Sequence, residues 1–363
     1  MTVLLGARQT GKTTLAHMVA AGMKRVTVYD LERAAARRAL ASPEIALGDN
    51  RGLVVLDEIQ RMPELFTVLR PLSDRARRPA RFLLLGSASP ELVRGVSESL
   101  AGRALMVRVP GFTIDEVGSE NQDRLWLRGG FPRAYLAASR DAWRRWLDGF
   151  TTTLLERDIP QLGVRIPAET LQRFWMMLAH YHGQVWNSSE IGRSMDVAPN
   201  TARHYLDVLS GAFLARVLPP WHENLKKRQV KAPKVYLRDS GLLHFLLGLG
   251  DIHDLRAHPR YGASWEGLAL EQTLAILGEK DAYFWATQGG AELDLLMIRG
   301  GRRYGFEFKC TDAPSMTRSM HVALEDLGLH ALYIVYPGTD RYPLHKKVEA
   351  VPLGIVPGLP IPA

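Results

Sequence analysis

Cysteine is nearly absent from this sequence, with a single residue, Cys310, in a chain of 363. One thiol excludes an internal disulfide and any zinc site that needs several cysteines. Long hydrophobic runs are absent too, since the longest, "GLLHFLLGLG" at 241–250, is too short to span a bilayer. No signal peptide precedes the first apolar segment. We therefore expect a cytoplasmic protein with no membrane partner.

Negative charge is the scarcer sign, because 38 Asp and Glu oppose 46 Lys and Arg and leave a formal net charge of +8. Excess positive charge suits a polyanion such as DNA or nucleotide phosphate. A genome rich in G and C, whose codons favour arginine, explains the same excess, so charge alone does not decide. The length of the chain exceeds one compact core, and we expect two or three domains.

The strongest motif is a glycine-rich loop near the start of the chain. Apolar residues 3–5 predict a buried strand, residues 6–13 match G-x-x-x-x-G-K-[ST], and "TTLAHMVAAGM" predicts a helix. In such a loop, backbone N–H groups face the β-phosphate, Lys12 reaches the β- and γ-phosphates, and Thr13 binds Mg²⁺. A glycine-rich turn that binds no nucleotide is the alternative. The residues expected to bind ATP are Gly6, Ala7, Arg8, Gln9, Thr10, Gly11, Lys12, Thr13 and Thr14.

Three further polar residues complete the predicted nucleotide site. "GLVVLDEIQ" at 52–60 predicts a buried strand with Asp57 and Glu58 at its carboxyl end, where ligands of open α/β sheets lie. Asp57 would hold Mg²⁺ through water, and Glu58 would act as the general base on the attacking water. An acidic pair that caps a helix is the alternative. A third strand, "RFLLLGSAS", carries Ser87 in the position of a γ-phosphate sensor.

These motifs are similar to those of a known family. "GARQTGKTT", "VVLDEIQ", "LLLGSAS" and "SLAGRA", in this order, resemble uncharacterised prokaryotic AAA+-type ATPases. Later segments extend the resemblance over nearly the whole chain: "RGGFPRAYL", "LERDI", "NTARHYLDVLSGAFLARVLPPW" and "KAPKVYLRDSGLL". Family members usually carry a further segment before the phosphate loop, so we expect the adenine contacts to be missing or replaced here.

The resemblance implies an α/β fold in four parts. A P-loop AAA+-type parallel sheet core would span 1–110 and a helical lid 111–160. A winged-helix segment would span 161–222, and an α/β domain similar to PD-(D/E)xK nucleases would span 223–363. Arg103, in "AGRA", is the candidate arginine for sensing the γ-phosphate, often across a subunit interface of a homo-oligomer. A solvated arginine before a strand is the alternative.

The middle of the chain contains a candidate recognition helix that begins at Pro199. Its outward residues, Asn200, Thr201, Arg203 and His204, would face a DNA groove or a protein partner. The basic stretch "KKRQVKAPK" at 226–234 would bind phosphate or form a solvated loop. The apolar stripe of this helix is predicted to contain Ala202, Tyr205, Leu206, Leu209 and Phe213.

The C-terminal part contains a predicted hairpin with Gly300 and Gly301 at its turn. Closing it there pairs Arg299 with Arg302 and sets Asp294 opposite Glu307. Lys309 would share their face, opposite Glu292. The side chains expected on the other face, towards a core, are Leu293, Leu295, Met297, Phe306 and Phe308.

Opposed carboxylates repel each other, so either Lys309 alone or a divalent metal should compensate Asp294 and Glu307. These residues match the D…E-x-K pattern of PD-(D/E)xK nucleases, in which two acids bind Mg²⁺ and the lysine serves the attacking water. Glu266 matches the acid that such folds place on a preceding helix. The alternatives are a plain charged surface and a nuclease-like module without catalysis.

Together these features predict a Mg²⁺-dependent ATPase of AAA+ type that acts on DNA or a partner through its nuclease-like domain. The rival hypothesis is a non-enzymatic switch, in which ATP binding alone controls contact with DNA or protein. Glu58 distinguishes the two, because a switch has no need of a catalytic base.

Overall fold

The computed structural model of the chain describes residues 1–75, 80–87, 98–222 and 229–362. It divides into two compact units, each with its own core. The first unit comprises Met1–Gly111 with Gly211–Phe213, and the second comprises Phe112–Ser210 with Leu214–Ala363. In the described part of the chain, no helix is both long and apolar enough to cross a membrane.

The first unit is built on a sheet of five parallel strands in the order β2-β3-β4-β1-β5. The strands are β1 (Thr2–Gly6), β2 (Val26–Asp30), β3 (Gly52–Asp57), β4 (Ala80–Ser87) and β5 (Leu105–Arg108). The helices are α1 (Lys12–Ala21), α2 (Ala34–Ala39), α3 (Pro43–Gly48) and α4 (Leu65–Ser73), with a 3-10 turn at Ile59–Arg61. The three central strands are apolar runs because both faces of a parallel sheet are covered.

The position of β4 brings the predicted polar residues together. It lies between β1 and β3, and its last residue, Ser87, pairs with Gly6 at the end of β1. Asp57 ends β3 on the other side. Since the carboxyl ends of parallel strands share one edge of a sheet, the phosphate loop, Asp57 and Ser87 meet there.

The second unit begins with helices where a lid was predicted. They are α5 (Ile114–Val117), α6 (Gln122–Arg128), α7 (Pro132–Tyr135), α8 (Arg140–Thr153) and α9 (Ile159–Gln161), with a 3-10 turn at Ser119–Asn121. A π-helical turn at Leu154–Asp158 joins α8 to α9. Trp143, Leu147 and Phe150 are buried on one side of α8, so the amphipathic helix expected at 141–159 is present with one irregular turn.

A helical segment with a small sheet follows. Its elements are α10 (Ala168–His180), β6 (Gln184–Val185), α11 (Ser188–Met195), α12 (Pro199–Gly211), β7 (Ala215–Leu218) and β8 (Lys234–Leu237). The three strands form an antiparallel sheet in the order β6-β8-β7. The predicted boundary after residue 222 falls inside this sheet, because β8 lies beyond it.

The apolar stripe of α12 is buried at Ala202, Tyr205, Leu206 and Leu209. The expectation for Phe213 was wrong, because α12 ends at Gly211 and Phe213 has a positive φ of 58°. Phe213 packs instead against the core of the first unit.

The C-terminal part contains a mixed sheet of six strands in the order β13-β14-β12-β11-β10-β9. One face packs against α15 and the other against α16. The strands are β9 (Ala282–Ala286), β10 (Glu292–Arg299), β11 (Arg302–Phe308), β12 (Ala331–Tyr336), β13 (Tyr342–His345) and β14 (Val348–Pro352). The helices are α13 (Ser240–Leu246), α14 (Ile252–Ala257), α15 (Tyr261–Leu277) and α16 (Arg318–Asp326), with a 3-10 helix at Leu353–Gly358.

The hairpin between β10 and β11 has the predicted register, from Leu295 opposite Phe306 to Arg299 opposite Arg302. Gly300 and Gly301 both have positive φ, as a two-residue turn of this kind requires.

One side chain of the hairpin contradicts the prediction. The pairing of β10 with β9 shifts between Leu293 and Leu296, and the irregularity puts both on the face covered by α16. Leu295 and Met297 face α15. Leu293 is therefore buried, but on the opposite face from the one expected, because an extra residue reverses the alternation.

Candidate nucleotide site and carboxylate cluster

The phosphate loop runs from the end of β1 into the first turn of α1. Gln9 and Gly11 have positive φ values of 64° and 95°, which curl the loop ahead of Lys12. Gly6 is required for a different reason: a Cβ atom there would lie 2.2 Å from the carbonyl oxygen of Val109. The loop therefore has the conformation that directs backbone N–H groups of a helix N-terminus towards an anion.

Other side chains of the loop stabilise its shape. The Thr10 hydroxyl donates to the Ala7 carbonyl at 3.1 Å, and Arg8 forms an ion pair with Glu32 at 2.8 Å. Thr14 lies exposed on α1 next to Thr13. We expect these residues to contribute to ATP binding through their backbone groups.

Lys12 is buried, with 7% of its surface exposed. Its Nζ donates to the carbonyl oxygens of Gly6 at 3.0 Å and Ala7 at 2.7 Å. Burial lowers the pKa of Lys12 to about 8, although Glu58 and Asp57 raise it. A phosphate beside this ammonium would supply a full negative charge where the loop supplies only carbonyl dipoles, and would favour the charged lysine.

The metal-binding residues predicted for this site are in contact. The Thr13 hydroxyl donates to Asp57 Oδ2 at 2.8 Å, and the Glu58 N–H donates to Asp57 Oδ1 at 2.9 Å. Magnesium prefers oxygen ligands and retains several waters, so it is commonly held by few protein groups. The Thr13 hydroxyl and the Asp57 carboxylate, adjacent at the end of α1 nearest the phosphate loop, fit such an ion.

Glu58 is held by two neighbours. The amide of Gln60 donates to Glu58 Oε2 and, at 2.8 Å, to Ser87 Oγ, while the Ser87 hydroxyl lies 3.3 Å from Glu58 Oε2. The backbone of Glu58 has a φ of 55°, in the left-handed region. Gln60 was not predicted, although its place two residues after Glu58 in "LDEIQ" was visible in the sequence.

Arg103 is not near this site. It precedes β5, whose first residue pairs with Thr2, so it lies at the amino-terminal edge of the sheet, opposite the phosphate loop. Its guanidinium forms an ion pair with Asp74 at 2.7 Å. Contact with the γ-phosphate of its own chain is excluded by this position, and action at a neighbouring subunit stays a prediction.

The residues predicted for the C-terminal site do lie together. Glu266 comes from α15, Asp294 from β10 and Glu307 from β11. Lys309 Nζ lies 2.7 Å from Glu307 Oε2, and the N–H of Phe308 donates to Asp294 Oδ2 at 3.0 Å. Burial, together with the neighbouring Asp294 carboxylate, raises the pKa of Glu307 to about 8, although Lys309 lowers it.

Two members of this cluster were not predicted. Lys234 Nζ, from β8, lies 3.1 Å from Glu266 Oε1 and 3.5 Å from Asp294 Oδ1, and also pairs with Glu292. The Tyr236 hydroxyl donates to Glu266 Oε1 at 2.6 Å. The spacing of Lys234 and Tyr236 would put them on one face of a strand, but nothing local indicates which acids that face meets.

Lys234 also corrects one expectation. Its partners include Glu292, whereas Lys309 pairs with Glu307. The basic stretch at 226–234 was expected to be solvated or to bind phosphate, but Lys234 at its end is buried. Residues 226–228 of that stretch lie outside the described residues.

The first unit combines a parallel sheet of this order with a phosphate loop and the Asp57–Glu58 pair, which is the arrangement of a P-loop domain of AAA type. A family described as "AAA domain" matches residues 1–118. Domains of unknown function match 119–253 (DUF8612) and 261–356 (DUF4143). Uncharacterized proteins of Mycobacterium tuberculosis and Mycobacterium bovis are each 53% identical over 350 residues, covering 96% of this chain and 79% of theirs. The chain belongs to the family of these mycobacterial proteins.

Solved structures give only distant matches. The RuvB Holliday junction branch migration motor of Thermotoga maritima is 17% identical, with a TM-score of 0.27, over 60% of this chain and 82% of that one. A Vibrio cholerae protein is 11% identical, with a TM-score of 0.20, over 98% and 95% of the two chains. At these scores, the likeness carries no argument about function.

Proposed function

We propose that the first unit binds Mg²⁺-ATP and hydrolyses it. The observation that carries this proposal is the meeting of three groups at one edge of the sheet: Lys12 in the phosphate loop, the Thr13–Asp57 contact, and Glu58 held by Gln60 and Ser87. An AAA domain over the same residues supports it.

Each group has a distinct task in this mechanism. The loop N–H groups and Lys12 would hold the β- and γ-phosphates, and Thr13 and Asp57 would hold a magnesium ion, which would supply positive charge against the phosphate oxygens. The Glu58 carboxylate orients the attacking water and accepts its proton. Gln60 and Ser87 hold the carboxylate in position, and Ser87 would also donate to the γ-phosphate.

A switch that binds ATP without hydrolysing it is the alternative. It would need the phosphate loop and the metal ligands but not a positioned carboxylate. The hydrogen bonds from Gln60 and Ser87 to Glu58 favour hydrolysis, because they hold the carboxylate in one position.

Replacing the base tests this proposal. Glu58→Gln should reduce ATP turnover by about 100-fold or more, because positioned general bases contribute factors of that size. ATP affinity should stay near that of the parent, since the phosphate contacts remain. Lys12→Ala should weaken ATP binding itself. Glu64→Gln is the matched control, because it makes the same change at an exposed acid of the first unit. Parental turnover by Glu58→Gln would show that Glu58 is not the base.

We propose that α10, α11 and α12 with the sheet β6-β8-β7 form a winged helix that contacts DNA. The support is the order of elements, three helices with an antiparallel three-stranded sheet, and the exposed residues on α12. Asn200, Arg203 and His204 are exposed there, while the apolar stripe is buried.

Salt dependence tests the DNA contact. Affinity for duplex DNA should fall steeply with salt, with a log–log slope near −0.9 for each phosphate neutralised. Replacing Arg203 and His204 with alanine should weaken binding, and losing the Arg203 contact to a phosphate would flatten the slope by about one unit. Arg157→Ala is the control, as an exposed arginine in the helical segment before the winged helix. No binding at low salt would leave α12 as a protein-contact element.

We propose that the C-terminal domain serves as a contact module and does not cut DNA. The nuclease alternative requires Asp294 and Glu307 to bind a divalent ion. Both acids already have partners within the chain, and this disfavours binding of such an ion. Cleavage of DNA by the parent chain in Mg²⁺ or Mn²⁺, lost in Asp294→Asn, would overturn this part of the proposal.

A further inference from the structure

Lys234 lies among several acidic partners, at the site where nuclease-like folds bind a metal ion. Only 4% of its surface is exposed, and its Nζ is close to carboxyl oxygens of Glu266, Asp294 and Glu292. A buried ammonium without a partner would be strongly destabilising, so Lys234 requires these acids. The acids in turn have a cation that the chain itself supplies.

Further donors also contact the acids of this cluster. Tyr236 donates to Glu266, the N–H of Phe308 donates to Asp294, and Lys309 pairs with Glu307. A divalent ion needs several oxygens that converge on one point without a competing cation. Among the residues that the structure describes, no three acids, histidines or cysteines are arranged to hold a metal. The cluster therefore does not fit the ion that the nuclease resemblance implies.

We infer that the Lys234 ammonium takes the place of the metal, so that ion pairs within the chain hold this cluster together. We call this arrangement the lock. The lysine comes from β8 in the small antiparallel sheet, whereas its acidic partners come from α15 and β10 in the C-terminal α/β part. One ammonium thus ties the two parts of the second unit together. The lock needs no divalent cation, because its acids already pair with the lysine.

Lys234 also ends the basic stretch that precedes β8. Its backbone carries on into Val235 and Tyr236, which are buried in the second unit. The lock therefore fixes the carboxyl end of that stretch on the C-terminal sheet. A metal in the same place would make this connection depend on the supply of cations, whereas a lysine does not.

The experiment uses the full chain carrying Asp57→Asn, so that the ATPase site cannot contribute to metal binding, and uses Mn²⁺ as the probe. With Lys234 in place, Mn²⁺ and a chelator should leave Tm unchanged. Lys234→Met should lower Tm by about 10 °C, because it leaves buried acids unpaired. Millimolar Mn²⁺ should then restore part of the loss, and adding Asp294→Asn should abolish the restoration.

Two further variants keep the test decisive. Lys280→Met removes an exposed lysine of the same unit and should leave Tm near that of the parent. Lys234→Arg keeps the charge and should be more stable than Lys234→Met, even if the latter is insoluble. Stabilisation of the Lys234 chain by Mn²⁺ that disappears in Asp294→Asn would overturn the inference. So would a Lys234→Met chain that is as stable as the parent, or one that folds but does not respond to Mn²⁺.

Discussion

The nucleotide site and the C-terminal cluster are made of similar side chains but differ in where the lysine finds its partner. At the first, Lys12 donates to backbone carbonyls of its own loop, and Asp57 accepts from a hydroxyl and an N–H. At the second, Lys234 and Lys309 contact carboxylates directly. The first arrangement leaves an acid and a lysine whose charges suit Mg²⁺ and phosphate. In the second, two ammonium groups of the chain pair with the carboxyl groups.

This difference shows why residue type is a weak guide to metal chemistry at a strand end. An acid binds a metal when the surrounding protein leaves its charge uncompensated, and it becomes structural when a buried ammonium compensates it. In sequence, both sites contain acids and a lysine. They are distinguished only by the tertiary contacts of Lys234, which lies on an element distant along the chain from the acids.

The largest effect that would sharpen the comparison is on ATP turnover. Asp57→Asn should reduce turnover by about 100-fold or more, because a metal ion supplies several kcal/mol of charge stabilisation in the transition state. The same change at Asp294 should leave turnover per folded chain near that of the parent. Steady-state hydrolysis with Mg²⁺-ATP measures both. Equal losses in the two variants would mean that the cluster takes part in hydrolysis.

A smaller effect is expected in the pH dependence of stability. Glu307 has its pKa raised to about 8 by burial, so it contributes stability at low pH that is lost as pH rises through that value. Glu307→Gln should remove this loss, worth up to roughly 1.4 kcal/mol for each pH unit between the two pKa values. Unfolding by urea between pH 5.5 and 8.5 measures the slopes. Parallel slopes for the parent and Glu307→Gln would contradict the buried, protonated state of Glu307.

The parent and Glu307→Gln must be compared at each pH, because other buried groups change stability with pH in the opposite direction. Burial lowers the pKa of His182 to about 3 and that of His244 to about 4. A histidine with a lowered pKa contributes stability at pH values above its unfolded pKa. This contribution is lost as pH falls. That contribution is common to the parent and Glu307→Gln and cancels in their difference.

The nucleotide site could be predicted from sequence because its parts are local. Strand, loop and helix follow one another within the first 21 residues, and Asp57 and Glu58 directly follow an apolar run. The convergence of the three strand ends then follows from the geometry of parallel sheets. The hairpin register was predictable for a similar reason, since a Gly-Gly turn and strand alternation define it without other elements.

The errors arose where distant elements decide the structure. The bulge that moves Leu293 depends on how β10 pairs with β9. Lys234 is separated from Asp294 by the whole of α15 and β9. No periodicity within β8 could indicate which carboxylates its lysine would meet.

Counting bound Mn²⁺ in the presence of a non-hydrolysable ATP analogue tests the central contrast most directly. Electron paramagnetic resonance of free Mn²⁺ gives the number of ions bound to the chain. The account predicts one tightly bound ion, which is lost in Asp57→Asn and kept in Asp294→Asn. A second tightly bound ion that disappears in Asp294→Asn, or a single ion that survives Asp57→Asn, would contradict it.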